Sequence, residues 1–192
     1  MVLSTVLALA STYSSLLRID SPMPRDPQVA ESLWRELDAQ PRAFDELAFF
    51  SQSVHSIRSL DYHRELAAKI AVQLAEARRR GYRAGINVLC TVGFMEDAAD
   101  PVLDSMPYRV VEGKRMRGSL CPTDPKTLAF IDAQYRIYAA VHPDFIYVDD
   151  DIDSCWCECA RCQSVRKSQG QWKIKEGLFD AVARAVRAIS FG

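Results

Sequence analysis

The sequence predicts an α/β fold of about four strand–helix units with parallel strands, forming one domain over residues 1–192. Three observations lead there. Short apolar runs alternate with stretches of helical period, and turn-forming residues separate them. The run Ala84 to Cys90 is apolar almost throughout, as expected of a strand covered on both faces. The composition, 48% hydrophobic and 26% charged, is that of a globular domain with a core of its own.

The elements follow in order. A first strand near Thr12 to Ile19 closes in a turn-rich stretch, Asp20 through Pro27. The period of Val29, Leu33 and Leu37 predicts a helix from about Gln28 to Leu37, and Leu47 to Ser51 reads as a second strand. Asp61 to Arg80 is the clearest helix: Asp61 can cap it, Leu66, Ile70 and Leu74 form one stripe, and Gly81 stops it. Ala84 to Cys90 is the third strand. The long connection Thr91 to Asp124 should carry function or local structure. A helix from Pro125 to Val141 presents Leu128, Ile131, Tyr135 and Tyr138 on one face. A fourth strand, Phe145 to Val148, and a last helix, Glu176 to Ile189, complete the pattern.

A closed (β/α)8 barrel needs eight such units and about 250 residues. The chain therefore reads as a partial barrel, a small open α/β fold, or a piece that needs a partner. Half a barrel leaves sheet edges to cover, so a homo-oligomer is one expected state.

The net charge of -1 gives no electrostatic footprint for nucleic acid or an anionic membrane. Arg78, Arg79 and Arg80 end a helix, where positive charge suits the dipole. Val2 to Ala10 is apolar, and Ala8-Leu9-Ala10 resembles a leader cleavage site. No basic residue precedes Arg18, however, so the segment reads as the lead-in to the first strand, and it is too short to span a membrane.

Four of the six cysteines fall between Cys155 and Cys162, too close together to staple distant parts of a fold by disulfides. Thiolates at that density suit a soft metal ion. The turn Cys157-x-Cys159-x-x-Cys162 can place three sulfurs around one centre, with Cys121 as the best fourth ligand and Cys155 as a substitute. Four sulfurs leave no open position for water, so a zinc there is structural, an iron–sulfur cluster being the alternative. A thiolate site also fits a reducing compartment, the cytoplasm. Cys90 reads as a core residue.

Asp149, Asp150 and Asp151 follow the fourth strand, where parallel-sheet enzymes place their chemistry. Alternation puts Asp149 and Asp151 on one side and Asp150 on the other. Crowded carboxylates repel, which raises the pKa of one and fits it for acid catalysis, and glycoside hydrolysis uses two carboxyl groups. A hard-cation site or a solvated acidic turn are the other readings.

At this point the residues resemble glycoside hydrolase family 42, the β-galactosidases on a (β/α)8 barrel. Arg117-Gly118-Ser119-Leu120-Cys121-Pro122 resembles that family's Arg-x-x-x-Cys-Pro element, and Tyr147-Val148-Asp149-Asp150-Asp151 its Val-Asp-Asn-Glu strand end. The resemblance implies that Arg117 and Asp150 hold a β-galactoside-type sugar and that Asp151 is the general acid/base. It also implies that Cys121, Cys157, Cys159 and Cys162 bind structural zinc. Aspartate for glutamate shortens the acid by one methylene, and aspartate for asparagine replaces a neutral donor with a charge. The family's nucleophile lies on a late strand, and no residue here takes that role. A partner chain or further sequence would supply it; otherwise the domain binds carbohydrate or another chain without turnover.

Among smaller features, His55, His63 and His142 read as surface or capping histidines. Trp156 reads as a cover for the metal loop, or as a platform for a sugar ring. Glu96 and Asp97 read as solvated loop acids.

Overall fold

A computed structural model of the chain describes residues 14–20, 22–41, 43–94, 100, 103–149, 152 and 155–190. It is an α/β structure with a four-stranded parallel sheet in the order β1-β2-β3-β6, comprising β1 Leu16–Ile19, β2 Glu46–Phe50, β3 Arg83–Val88 and β6 Ile146–Val148. Two helices join β1 to β2, α1 Pro22–Arg25 and α2 Pro27–Ala39; α3 Leu60–Arg79 joins β2 to β3. The crossover to β6 carries an antiparallel hairpin, β4 Tyr108–Val111 and β5 Lys114–Leu120, before α4 Pro125–Ala139. Two helices follow, α5 Ala160–Gln169 and α6 Trp172–Ser190. No helix among the described residues is long and apolar enough to cross a membrane.

Each parallel strand is added beside the one before, so the sheet order never reverses. With right-handed crossovers, that order puts the connecting helices on one face. The burial agrees: Leu47, Phe49, Ala84, Ile86 and Val88 join one core with Leu66, Ile70 and Leu74 of α3, Tyr135 and Tyr138 of α4, and Leu178 of α6. The alternate strand positions, among them Arg18, Ala48, Phe50, Gly85 and Asn87, face the other way.

That second face is concave. Arg18 on β1 donates from Nη2 to Oδ2 of Asp149, which follows β6. In a flat sheet the two strands would lie three spacings apart, about 14 Å. An arginine and an aspartate standing off a flat sheet do not bridge that gap, so the sheet curls toward this face.

Local chemistry explains the element ends. Asp26 caps α2, accepting from the amides of Gln28 at 2.9 Å and Val29 at 3.4 Å. Ser59, rather than the expected Asp61, caps α3 by accepting from the Tyr62 amide at 3.3 Å; Asp61 sits in the first turn, where its charge suits the dipole. Gly81, at φ 90°, ends the helix as expected. Asp124 caps α4, with Pro125 opening it. The turn-rich stretch after β1 contains the short α1, and α5 and the first turn of α6 extend helical structure beyond the expected last helix. Asp144 fixes the start of β6, accepting from the Ala84 amide at 2.8 Å and from Arg78 Nε at 3.2 Å.

The long connection carries structure of its own, as its length implies. Val111 pairs with Lys114, leaving Glu112 and Gly113 as a two-residue turn. Both have positive φ, 50° and 72°, the requirement of a type I′ hairpin turn. Gly93, at φ 85°, lets the hairpin approach: a Cβ there would lie 2.2 Å from the Gly118 carbonyl oxygen. A second apolar cluster, including Ile57, Leu103, Tyr108, Leu120 and Phe130, packs beneath the hairpin.

Candidate metal centre

Cys121 stands at the end of β5, where the chain leaves the hairpin for α4. Its amide donates to the Pro107 carbonyl at 2.6 Å, and the preceding Leu120 amide donates to the Val92 carbonyl at 2.7 Å. Those bonds fix the residue between the hairpin and the end of the β3 segment. The other three cysteines lie on the approach to α5. Cys159 is the N-cap of that helix, its Sγ accepting from the Cys162 amide at 3.5 Å, so one turn of helix sets the spacing of two sulfurs. Cys157 Sγ accepts from the Val110 amide at 3.4 Å, while the Glu158 amide donates to the Val110 carbonyl at 2.7 Å. The cysteine loop is thereby laid along β4.

The Sγ atoms of Cys121, Cys157, Cys159 and Cys162 all lie within 4.8 Å of one another. From Cys121 the separations are 3.6 Å to Cys159, 3.7 Å to Cys162 and 3.9 Å to Cys157. A disulfide requires about 2.05 Å, and all four cysteines are free thiols. Four sulfurs set tetrahedrally at about 2.3 Å from one ion would be about 3.8 Å apart. The separations fit that edge, so the group can hold one metal ion. An iron–sulfur cluster distributes its thiolates over several irons and needs a wider spread than this. Cys155 is buried but is not one of the four mutually close sulfurs.

The electrostatics are those of thiols crowded together. Hydrogen bonds from Cys121 and Cys162 hold the Cys157 thiol well below the ordinary thiol range, and the Cys159 and Val110 amides add to the effect. The same contacts push Cys162 up, through Cys121 first and Cys157 next, and Cys157 pushes Cys121 up. One thiolate forms readily and opposes the next. A bound cation removes that opposition, so metal uptake releases protons and tightens as pH rises. Around the sulfurs, Thr123 Oγ1 lies 3.1 Å from Cys162 Sγ, and Arg166 donates to the Cys157 carbonyl at 2.6 Å. Arg166 also lies over the Trp156 ring at 4.2 Å, and Trp156 is 49% exposed.

Of the residues expected to hold sugar, Arg117 is an exposed side chain of β5 and pairs with Asp104, in a cleft of about 420 Å³ that Tyr108 and Arg115 also line. Asp150 and Asp151, and the loop acids Glu96 and Asp97, lie outside the described residues. Asp149 is at the carboxyl end of β6 and accepts from Asn87 Nδ2 at 2.9 Å as well as from Arg18. Arg18 Nε in turn donates to Asn87 Oδ1 at 2.9 Å, and its guanidinium lies 4.7 Å from the Phe50 ring and 5.1 Å from the Tyr147 ring. Arg18 and Asn87 were not among the expected site residues. Their signal is a single polar residue at an inner-strand position of an otherwise apolar run, Leu16-Leu17-Arg18-Ile19 and Ala84-Gly85-Ile86-Asn87-Val88.

His63 corrects the surface reading. It is 1% exposed, with Nδ1 2.7 Å from the Tyr138 hydroxyl. Desolvation pushes its pKa down to about 4, so it is a neutral core residue. His142 is exposed beyond α4, and His55 stacks edge-on against Phe94 at 4.8 Å. Cys90 is buried in the cluster beneath the hairpin, as expected.

No protein-family model matches the chain, and no curated protein matches it significantly.

Proposed function

We propose that the chain is a zinc-stapled, partial (β/α)8-type domain, related to family 42 glycoside hydrolases, that takes a β-galactoside-type sugar at the carboxyl ends of its strands. The observation that carries this reading is the closure of Cys121 on Cys157, Cys159 and Cys162 within 4.8 Å, the ligand set and order implied by the resemblance. The unreversed sheet order and the concave face opposite the apolar core support the barrel part. Zinc is the ion of choice because four thiolates in a tetrahedron are its commonest structural site, and a reducing cytoplasm keeps such thiols available.

In this reading the ion ties the hairpin to the segment between β6 and α5 and touches no substrate. Asp151 protonates the leaving oxygen, while Arg117 and Asp150 hold the sugar, and a carboxylate from a partner chain or further sequence completes the pair. The test is hydrolysis of chromogenic β-galactosides by zinc-loaded protein, with loss of at least about a hundredfold in Asp151→Asn. No turnover in a folded, zinc-loaded sample would refute hydrolysis by this chain on its own or as a homo-oligomer. The shortened acid at Asp151 favours a second reading, carbohydrate binding without catalysis, which calorimetry would select by sugar binding in the absence of turnover.

A further inference from the structure

We infer that Arg18, Asn87 and Asp149, with the ring of Tyr147 beside them, form a recognition site for two neighbouring hydroxyls of a neutral sugar. The inference rests on the carbohydrate reading above and assigns it to residues which that reading does not use.

The first argument is position. The three polar groups lie at or next to the carboxyl ends of β1, β3 and β6 on the concave face, where parallel sheets present ligands. They add nothing to the apolar core, which occupies the other face. Asn87 is 0% exposed, and a polar amide placed in the middle of a sheet costs free energy unless its bonds are made. Here they are made to each other, which produces a rigid network rather than better packing.

The second argument is what the network leaves available. Arg18 uses Nε for Asn87 and Nη2 for Asp149, and the rest of its guanidinium N–H groups have no partner among the described residues. Its side chain is nevertheless 39% exposed. Two hydrogen bonds and two aromatic rings hold the guanidinium plane, so these donors are fixed before any ligand arrives.

Charge then selects the class of ligand. Asp149 cancels the charge of Arg18 at bonding distance, which removes the advantage of a carboxylate or phosphate ligand. A hydroxyl both donates and accepts, so a vicinal pair matches N–H donors set beside a carboxylate. Tyr147, 41% exposed, offers an apolar ring to the C–H face of a pyranose.

The experiment titrates the full, zinc-loaded chain with methyl β-galactoside, and with galacturonate as the anionic counterpart, following binding by calorimetry. Arg18→Lys keeps the positive charge and much of the stem but loses the planar fork; Tyr147→Ala removes the half-exposed ring and, with it, one of the two rings against Arg18. Thermal melts establish that both variants fold. The expected result is binding of the neutral sugar, weakened at least about tenfold in each variant, with zinc content unchanged. Undiminished binding in both folded variants would overturn this site while leaving the carbohydrate reading standing. Binding of galacturonate in preference to the neutral sugar would overturn it as well. Absence of any sugar binding by the unaltered chain would refute the carbohydrate reading itself.

Discussion

On the helix side of the sheet, Leu47, Phe49, Ile86 and Val88 meet α3, α4 and α6 in a continuous apolar core. Beyond the carboxyl ends of the strands, the β4–β5 hairpin meets the cysteine loop through a few backbone bonds and four sulfurs. The core gains stability in proportion to the apolar area it removes from water. The hairpin has only a small cluster of its own, Ile57, Leu103, Tyr108, Leu120 and Phe130, and an isolated two-stranded hairpin is marginal in water. Burial makes the sheet, and Cys121, Cys157 and Cys162 are themselves buried at the margin of that same core, so the four sulfurs stand where the core meets the hairpin and the approach to α5.

Three changes probe that boundary, in falling order of effect. Phe49→Ala removes a fully buried ring from the core and should cost about 3–5 kcal/mol in denaturant unfolding. Zinc content of the folded fraction should stay unchanged, and zinc loss at full occupancy of the fold would show that core and centre are one unit. His63 gives the next effect. Its folded pKa of about 4 lies below the unfolded value near 6.5, so the unfolded chain takes the proton first. Stability should therefore fall as pH drops from about 6.5 toward 4, by up to about 3 kcal/mol. Replacing it by glutamine (His63→Gln) should weaken the protein at pH 7 but flatten this decline, visible as converging unfolding midpoints at pH 5. A decline of equal slope in the variant would assign it to the thiolates instead. The smallest effect belongs to Ser59→Ala, which removes the α3 cap and should cost about 1 kcal/mol without changing metal content.

The legible and illegible parts of the fold divide on similar lines. Periodicity located the parallel strands and the helices that bury a stripe, because Leu66, Ile70 and Leu74, or Leu128, Ile131 and Tyr135, repeat at the helical spacing. The α5 helix escaped notice because Ala160 to Gln169 buries only Cys162 and has no stripe to show. The hairpin, too, hid in a polar stretch whose signal is one dipeptide, Glu112-Gly113. For the site, the turn Cys157-x-Cys159-x-x-Cys162 was legible because its spacing is local, whereas the approach of Cys121 depends on how β5 exits. The Arg18–Asn87–Asp149 network joins residues 69 and 62 positions apart, and only the curl of the sheet brings them into contact.

The central claim is that four thiolates hold one zinc, and metal analysis with X-ray absorption on reduced protein tests it most directly. The account predicts one zinc per chain in an all-sulfur shell at about 2.3 Å, with zinc content reduced in Cys121→Ser. A metal-free folded protein, or full zinc retention in Cys121→Ser, would contradict it.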